Sequence, residues 1–346
     1  AGGARITARR FVIATGSSPA IPPIEGLDQT PYLTNETLFD LREAPKHLII
    51  LGAGPIGIEM AQAHRRLGVD VTVVEAEAAL GREDPELAGV VLARLRAEGV
   101  DLHEHTRAAS VRREGDGVAV VTEDGKVFAG SHLLVATGRQ ANLARLDLEA
   151  AGVAYDRYVQ VDAGLRGTNR RVFAIGDAAG PLHFTHVAGY HAGLVIRSAL
   201  FAMPARARTD HIPRVTYSDP ELAQIGPTEA EARAKYGGQL EVARFDLAGN
   251  DRAVASGKTE GFIKVMVVRG RPVGASIVGA RAGDLIGIWS LAIANKMKMS
   301  AIANMVAPYP TVGEISKRAA GVYFSPRLFD NPRVKRVVGL VQRIIP

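Results

Sequence analysis

The feature that most constrains this chain is a glycine-rich turn directly after a short apolar run. Residues 48–51 read Leu-Ile-Ile-Leu, and Gly52, Gly54 and Gly57 follow in G-x-G-x-x-G order. Such a run is typical of a parallel strand covered on both faces. The first glycine permits the bend, the second lets a pyrophosphate approach the backbone, and the third lets a helix pack on the strand. The stretch therefore predicts a dinucleotide site at the amino end of a helix that runs to about residue 68.

An acidic residue further along supports this interpretation. The second predicted strand, residues 70–74, is followed by Glu75, 18 residues beyond Gly57. A carboxylate there accepts hydrogen bonds from the ribose hydroxyls of NAD and repels the 2′-phosphate of NADP. The nearest cation that could attract such a phosphate is Arg82. We therefore expect NADH rather than NADPH, and the alternative is a glycine turn that merely packs a helix on a sheet.

The composition narrows the class of protein. With 346 residues, 47% of them hydrophobic and 23% charged, the chain is long enough for two or three domains. Its net charge of +6 comes from basic residues interspersed with acidic ones, which favours anionic cofactors over nucleic acid. Because no apolar run reaches membrane-spanning length and no signal peptide is recognisable, we expect a cytoplasmic protein. The sequence has no cysteine and its histidines lack ligand spacing, so we expect no metal site.

Two similar turns stand on either side of the glycine motif. Residues 12–17 read Val-Ile-Ala-Thr-Gly-Ser and residues 134–139 read Leu-Val-Ala-Thr-Gly-Arg. Each is a predicted strand followed by a Thr-Gly turn, which indicates that the nucleotide-binding segment is inserted into another domain. A third predicted strand, residues 171–175, ends in Gly176 and Asp177. An aspartate there can accept hydrogen bonds from a ribose or polyol chain, although an isolated Gly-Asp is more often a turn or a helix cap.

Together these features resemble the pyridine nucleotide-disulfide oxidoreductases, from about residue 5 to residue 320. The resemblance implies an α/β protein with a Rossmann-like NAD domain inserted in a split FAD domain, here incomplete, followed by an α+β dimerisation domain. Within the family, several segments are similar to those of mercuric reductases. They are residues 82–86, 96–100, 104–106, 148–153 and 261–264. The implied cofactors are FAD and NAD, and the implied partners are a second copy of the chain and a small-molecule electron acceptor.

The resemblance divides the chain into five segments. They are the end of the first FAD segment with a linker (1–44), the NAD(P)H-binding domain (45–138), the second FAD segment (139–208), the dimerisation domain (209–325) and a basic amphipathic tail (326–346). We expect the tail to pack on the dimer. Contact with a membrane surface is the weaker alternative, because amphipathic spacing suits both. The single tryptophan, Trp289, is expected in the dimer core.

The resemblance also implies which residues bind the cofactors. A helix predicted from about residue 184 would point its amino end at the flavin, and Glu59 would lie where nicotinamide and flavin meet. The residues implied for FAD are Thr15, Gly16, Ser17, Asp177, His183, Phe184, Thr185 and His186. Those implied for the nicotinamide nucleotide are Gly52, Gly54, Pro55, Ile56, Gly57, Glu59 and Glu75, with Gly138 as a further cofactor contact.

The chain departs from the family at its acid–base motif. Disulfide reductases of the family carry His-Pro-Thr with a glutamate five residues after the histidine, supplied across the dimer. This chain has Tyr309 in place of the histidine, and Glu314 is present. A tyrosine keeps its proton near neutral pH and cannot replace the imidazole base, and mercuric reductases show tyrosine at this place. The resemblance therefore implies Tyr309, Glu314 and Glu59 as catalytic candidates.

Other departures leave the function open. The arginine expected of an NADPH-using mercuric reductase is replaced by Glu75, and the C-terminal cysteine pair of those enzymes is missing. The family's first FAD glycine motif and its C-x4-C redox pair would precede residue 1, so we expect a truncated chain. One hypothesis is a mercuric reductase-like oxidoreductase that passes hydride from NADH through flavin to a disulfide, a metal ion or a quinone. The alternative is a truncated, non-catalytic nucleotide-binding and dimerisation module.

Overall fold

The computed structural model describes residues 6–345; residues 1–5 and 346, at the ends of the predicted first and last segments, lie outside the described part. The strands are β1 (Phe11–Ile13), β2 (Ser17–Pro19), β3 (His47–Leu51), β4 (Asp70–Val74), β5 (Asp101–His103), β6 (Ala108–Glu114), β7 (Gly117–Thr122), β8 (Val127–Gly130), β9 (His132–Val135), β10 (Arg139–Ala141), β11 (Val172–Ala174), β12 (Pro213–Thr216), β13 (Glu221–Ile225), β14 (Leu240–Asp246), β15 (Phe262–Val268) and β16 (Arg271–Gly279). The helices are α1 (Pro55–Arg66), α2 (Pro85–Ala97), α3 (Thr185–Leu200), α4 (Glu229–Tyr236), α5 (Asp251–Ala255), α6 (Ala282–Leu285), α7 (Gly287–Ala294), α8 (Met299–Ala303), α9 (Glu314–Ser325) and α10 (Pro332–Ile344).

A four-stranded parallel sheet in the order β5-β4-β3-β9 carries the glycine motif. Residues 48–51 of β3 are buried, as the apolar run predicts, because α1 and α2 pack on one face and the antiparallel sheet β6-β7-β8 packs on the other. The turn after β3 leads directly into α1. A side chain at Gly57 would overlap the carbonyl oxygen of Gly52, so the helix approaches the strand this closely because the residue is glycine. The predicted strand–turn–helix unit is confirmed.

Two pairs of short strands join the two segments of the split domain. β1 pairs in parallel with β11, with Val12 opposite Phe173, although the whole parallel sheet lies between them in the chain. β2 pairs antiparallel with β10, with Ser17 opposite Ala141. The chain leaves the split domain after β2 and returns to it at β10. This pairing confirms the predicted insertion.

Residues from β12 onward form an antiparallel sheet in the order β12-β13-β16-β15-β14, with helices packed against it. Trp289 of α7 lies fully buried, at 0% exposure, in the core between helices and sheet. The expectation that Trp289 lies in the dimer core is therefore wrong. It fills the core of a single chain, where its large apolar ring is covered without a partner.

The tail leaves this domain as a π-helical turn, Pro326–Asp330, followed by α10. Every α10 side chain is at least partly exposed, and its apolar residues lie at helical spacing among four cations. The tail is thus an amphipathic helix whose apolar face is not buried by the described part of its own chain. Between residues 6 and 345, no helix is both long enough and apolar enough to cross a membrane.

A buried lysine joins the domain of the parallel sheet to the domain that begins at β12. Lys264 lies on β15 with its side chain 5% exposed, and its Nζ lies 2.9 Å from carboxylate oxygens of Asp84 and Glu86 and 3.0 Å from one of Glu229. Asp84 also caps α2, by accepting a hydrogen bond from the Glu86 N–H at 3.0 Å. Burial alone would lower the pKa of Lys264, but the hydrogen bonds to these carboxylates raise it. The lysine therefore stays charged at neutral pH and holds the amino end of α2 against β15.

Replacing Lys264 with methionine should lower the free energy of unfolding by about 3–5 kcal/mol, because the buried Asp84 carboxylate loses its counter-charge. Lys126→Met is the matched control. Lys126 is exposed and pairs with Asp124 at 2.9 Å, so its loss should cost less than about 1 kcal/mol. Urea denaturation of both variants at neutral pH measures the difference. Equal losses of stability would show that the buried cluster does not fasten the two domains.

Candidate functional site

A cavity of about 450 Å³ opens where the split domain meets the glycine motif. This volume lies in the range of small-molecule sites. Its wall includes predicted residues from both groups, namely Gly16, Asp177, His183, Phe184 and Thr185 from those implied for FAD and Ile56 from the glycine motif. It also includes residues to which the sequence assigned no role, namely Ala14, Arg139, Ile175, Gly176 and Ala188. One cavity therefore joins the implied flavin residues to the implied nicotinamide motif.

Arg139 ties together chain segments around this cavity. Its Nε donates to the Ser17 hydroxyl at 2.7 Å, and its other guanidinium nitrogens donate to the Ser17 carbonyl at 2.6 Å and to the Asn35 side chain at 3.1 Å. The Ser17 hydroxyl in turn donates to the Asp177 carboxylate at 2.5 Å. Ser17 thus acts on the cavity through Asp177 and is not part of its wall. The signal that could have singled out Arg139 is its place directly after the second Thr-Gly turn.

The amino end of α3 faces the same cavity. Phe184 precedes the helix, Thr185 begins it, and both belong to the cavity wall. Within the described structure no side chain caps this end of the helix. Its N–H groups and the helix dipole therefore favour negative charge in the cavity, as the prediction of a flavin-facing helix requires.

Three histidines near this helix end have different surroundings. His183 lines the cavity, burial lowers its pKa, and its enclosed Nε2 has no hydrogen-bond partner among residues 6–345. His186 lies outside the wall, where its Nε2 donates to the Pro213 carbonyl at 2.9 Å. His191, to which the sequence gave no role, is buried, and its Nδ1 accepts the Gly176 N–H at 3.2 Å. Because an enclosed polar atom without a partner is costly, His183 Nε2 fits a polar atom of a bound ligand.

The two Thr-Gly turns contribute mainly through their backbone. The Thr15 carbonyl accepts a hydrogen bond from the Asn142 side chain at 3.1 Å, and the Gly138 carbonyl accepts the Ala20 N–H at 3.0 Å. Gly16 lines the cavity, with a φ of +67° that favours glycine. Thr15 and Gly138 do not belong to the cavity wall, so they shape the turns beside it.

The glycine motif presents an open surface at the end of β3. A Cβ at Gly54 would meet no atom within 4 Å, which leaves room for a phosphate against the backbone. Gly52 has a φ of +100°, and a side chain there would overlap neighbouring backbone. The Glu75 carboxylate lies beside this turn, where it accepts the Ala53 N–H at 2.6 Å and the Glu77 N–H at 2.9 Å. Each carboxylate oxygen keeps a further lone pair that a ribose hydroxyl can use.

Glu59 lies one helical turn beyond Ile56 on α1, but it does not belong to the cavity wall. Its carboxylate instead accepts the Tyr217 N–H of the dimerisation domain at 2.8 Å. Burial raises the pKa of Glu59, and this hydrogen bond partly opposes the shift. The structure therefore gives Glu59 a contact between domains, with the cavity one turn away.

Tyr309 and Glu314 lie on the dimerisation domain, away from the cavity wall of their own chain. Tyr309 is 68% exposed, and its hydroxyl donates to Asp251 at 2.9 Å, which raises the pKa of the phenol. Glu314 begins α9, with its side chain 13% exposed and 3.8 Å from Arg318. In the described part of the chain, no group of three or more His, Asp or Glu residues could hold a metal ion.

Residues 1–192 match the family model described as pyridine nucleotide-disulphide oxidoreductase, and residues 212–320 match the dimerisation domain of that family. The chain belongs to the pyridine nucleotide-disulphide oxidoreductases. It is 37% identical over 320 residues to the mercuric reductase of Acidithiobacillus ferrooxidans, covering 91% of this chain but only 58% of that protein. It is 36% identical over 331 residues to the mercuric reductase of Streptomyces lividans, covering 94% of this chain and 70% of that protein.

Solved structures similar to this pyridine nucleotide-disulphide oxidoreductase have the same fold. LpdA from Mycobacterium tuberculosis matches with a TM-score of 0.84 at 32% identity, covering 90% of this chain and 68% of LpdA. The HOCl-induced flavoprotein disulfide reductase RclA from Escherichia coli matches with a TM-score of 0.83 at 30% identity, covering 90% of this chain and 73% of RclA. The predicted fold class is confirmed. FAD and a pyridine nucleotide are the cofactors of this family.

The cavity residues fit a flavin. The Asp177 carboxylate can accept hydrogen bonds from a polyol chain, and the enclosed Nε2 of His183 can meet a polar atom of a ring. The amino end of α3 favours the negative charge that a reduced flavin carries. The cavity thus offers an acceptor for the polyol chain and a field that suits an anionic ring system.

Asp177→Asn should weaken FAD binding roughly tenfold to a hundredfold, because a hydrogen bond to a charged group contributes about 1.5–3 kcal/mol. The Ser17 hydroxyl can still donate to the amide oxygen, so the fold should be retained. Asp116→Asn, on the exposed turn between β6 and β7, is the matched control and should bind FAD like the parent. Titration with flavin fluorescence as the signal measures both affinities. If the two variants bind FAD equally, Asp177 is not a flavin contact.

Proposed function

We propose that this protein is an FAD-dependent oxidoreductase of the mercuric reductase-like type. A bound FAD would supply the hydride acceptor for the oxidation of NADH to NAD⁺, and a disulfide, a metal ion or a quinone would receive the electron pair. The observation that carries the proposal is that Ile56 of the glycine motif lines the same cavity as Asp177 and His183. A nucleotide bound at the motif would therefore meet the residues that fit a flavin.

The two ends of the nucleotide would be held by different chemistry. The N–H groups at the amino end of α1, together with the open backbone at Gly54, suit the pyrophosphate. Glu75 would accept hydrogen bonds from the ribose hydroxyls of the adenosine end. Its bond to the Ala53 N–H keeps the carboxylate beside the turn.

The remaining cavity residues would bind and orient the flavin. FAD, when bound, supplies the capacity to accept hydride and pass electrons on. Asp177 would accept hydrogen bonds from its polyol chain, held in place by Ser17 and Arg139. Because burial lowers the pKa of His183, this residue stays neutral at neutral pH and adds a hydrogen-bonding group without adding charge.

Glu75→Arg should weaken NADH binding and improve NADPH binding, changing the ratio of the two affinities by about tenfold or more. The arginine would form a charge-assisted hydrogen bond to the 2′-phosphate, whereas the glutamate accepts hydrogen bonds from the ribose hydroxyls. Glu77→Arg, with the same charge change on a more exposed side chain two residues away, is the matched control. It should leave the ratio nearly unchanged. Isothermal titration with each nucleotide measures the affinities. An unaltered preference in Glu75→Arg would remove Glu75 from the ribose site.

The electron acceptor would bind between the two subunits of a homodimer. Because Tyr309 is exposed and its hydrogen bond to Asp251 raises the pKa of the phenol, it holds its proton at neutral pH. It would therefore position an acceptor at the neighbouring subunit's flavin by donating a hydrogen bond, with Glu314 nearby in sequence. The match to the family's dimerisation domain supports this arrangement. Packing on the same dimer remains the favoured role of α10, and membrane contact the weaker one.

Tyr309→Phe should lower turnover about tenfold with at least one of the three acceptor classes, disulfide, metal ion or quinone. The reason is that the substitution removes only the hydroxyl that donates a hydrogen bond to the acceptor. Reduction of the flavin by NADH and dimerisation should be unchanged. Stopped-flow flavin reduction, steady-state assays with dithiol, Hg(II) and quinone acceptors, and sedimentation of the flavin-loaded protein measure the three quantities. If the variant equals the parent with every acceptor, Tyr309 is a packing residue.

A second candidate function is a non-catalytic nucleotide-binding and dimerisation module. It is favoured by the absence of cysteine from the given sequence, since these 346 residues hold no redox disulfide. The colour of the purified chain distinguishes the two. Bound flavin absorbance that bleaches on adding NADH supports the oxidoreductase. A colourless chain that binds NADH supports the module.

A further inference from the structure

One face of the nucleotide-binding helix α1 is fastened to the dimerisation domain. Glu59, Gln62 and Arg66 follow one another at spacings of three and four residues, so they lie along one stripe of the helix. All three bond to residues 217–219, in the loop between β12 and β13. The helix belongs to the NAD domain and the loop to the dimerisation domain. The stripe therefore determines where α1 lies relative to that domain.

Gln62 makes the central contact of this stripe. It is 3% exposed, its amide oxygen accepts the Asp219 N–H at 2.7 Å, and its amide nitrogen donates to the Asp219 carbonyl at 2.9 Å. The same nitrogen lies 3.3 Å from a carboxylate oxygen of Glu98. An amide that pairs with both backbone groups of one residue constrains distance and orientation together, because hydrogen bonds weaken steeply when bent.

Charged groups surround this contact on its solvent side. Arg66 donates to the Asp219 carboxylate at 3.0 Å and to the Glu98 carboxylate at 2.9 Å. The hydrogen bond from Arg66 lowers the pKa of Glu98, so both groups are charged at neutral pH. Such part-exposed ion pairs each contribute little. The buried Gln62 amide is therefore the directional element of the contact.

The position of α1 matters because the site begins at its amino end. Pro55 starts the helix after the pyrophosphate turn, and Ile56 lines the cavity, six residues before Gln62. A helix of this length moves as a unit, so a displacement at Gln62 reaches Ile56. Hydride transfer is sensitive to such a displacement, since a misplacement of about 1 Å can cost a hundredfold in rate.

We propose that Gln62 is a positioning residue for hydride transfer. Through its paired hydrogen bonds to Asp219 it sets the depth at which a nicotinamide held by α1 enters the cavity. Gln62 does not line the cavity and acts through the helix. The inference rests on the proposed oxidoreductase function and extends it to the contact between the NAD and dimerisation domains.

Gln62→Met tests the proposal, because methionine keeps the length and burial of the side chain and removes both bonds to Asp219. In the flavin-loaded protein, the limiting rate constant of flavin reduction by NADH should fall about tenfold to a hundredfold. The dissociation constant of NADH should change by less than about threefold, since the contacts at the glycine turn remain. Stopped-flow measurements over a range of NADH concentrations separate the two quantities.

Gln224→Met is the matched control. Gln224 is also fully buried, at 0% exposure, and its amide donates to the Pro227 carbonyl at 3.2 Å and accepts from Ser276, all within the dimerisation domain. Gln224→Met should lower the midpoint of thermal unfolding about as much as Gln62→Met does. It should leave the limiting rate constant of flavin reduction unchanged. An unchanged rate constant in Gln62→Met, or an equal loss in both variants, overturns the proposal.

Hydrogen exchange of the chain without flavin separates this inference from the proposed function. The amides of Tyr217 and Asp219 should exchange faster in Gln62→Met than in the parent. NADH should slow their exchange in the parent by up to about threefold and not in the variant, because binding at one end of α1 is linked to the contact further along it and the two effects share one coupling factor. If NADH does not reduce the flavin of the parent protein, the proposed function is refuted. If exchange at these two amides responds neither to the substitution nor to NADH, the positioning role of Gln62 is refuted.

Discussion

The parallel pairing of β1 with β11 is the constraint on which the rest of the structure depends. It places Val12 opposite Phe173 and so requires everything between them to leave the split domain and return. The returning chain supplies Arg139, which bonds to Ser17 on the outgoing segment. Ser17 then bonds to Asp177 just beyond β11. The cavity wall is thus assembled from segments that are distant in the chain, and it forms because short strands pair.

The inserted domain is held at its other side by polar contacts with the dimerisation domain. Lys264 reaches the start of α2, and Gln62 of α1 pairs with Asp219. A buried charge or amide must be fully partnered, so such contacts tolerate few relative positions of the two domains. Apolar packing alone has no preferred direction, so it would let the two domains shift slightly against each other with little change in free energy. These contacts therefore fix the glycine motif relative to the dimerisation domain, as the proposed transfer between two cofactors requires.

Much of the site could be predicted because its signals are local or carried by family resemblance. The glycine spacing, the acid after the second strand and the Gly-Asp strand end each occupy a few consecutive positions. Five of the eight residues implied for FAD line the cavity, and Ile56 of the motif lines it too. The three exceptions are informative: Thr15 accepts a hydrogen bond from Asn142, Ser17 acts through Asp177, and His186 bonds to the Pro213 carbonyl instead. Sequence placed these residues near the site, whereas the direction of each side chain depends on its neighbours.

The sequence by itself determined the strand–turn–helix unit and the insertion of one domain in another, because short-range spacing of glycines and apolar residues encodes them. Tertiary structure alone decided the roles of Arg139, His191 and Gln62, whose partners Ser17, Gly176 and Asp219 no local pattern indicates. It also decided that Trp289 fills the core of its own chain. The physical reason is that hydrogen bonds and burial between distant residues depend on how whole domains pack, and spacing along the chain does not record that packing.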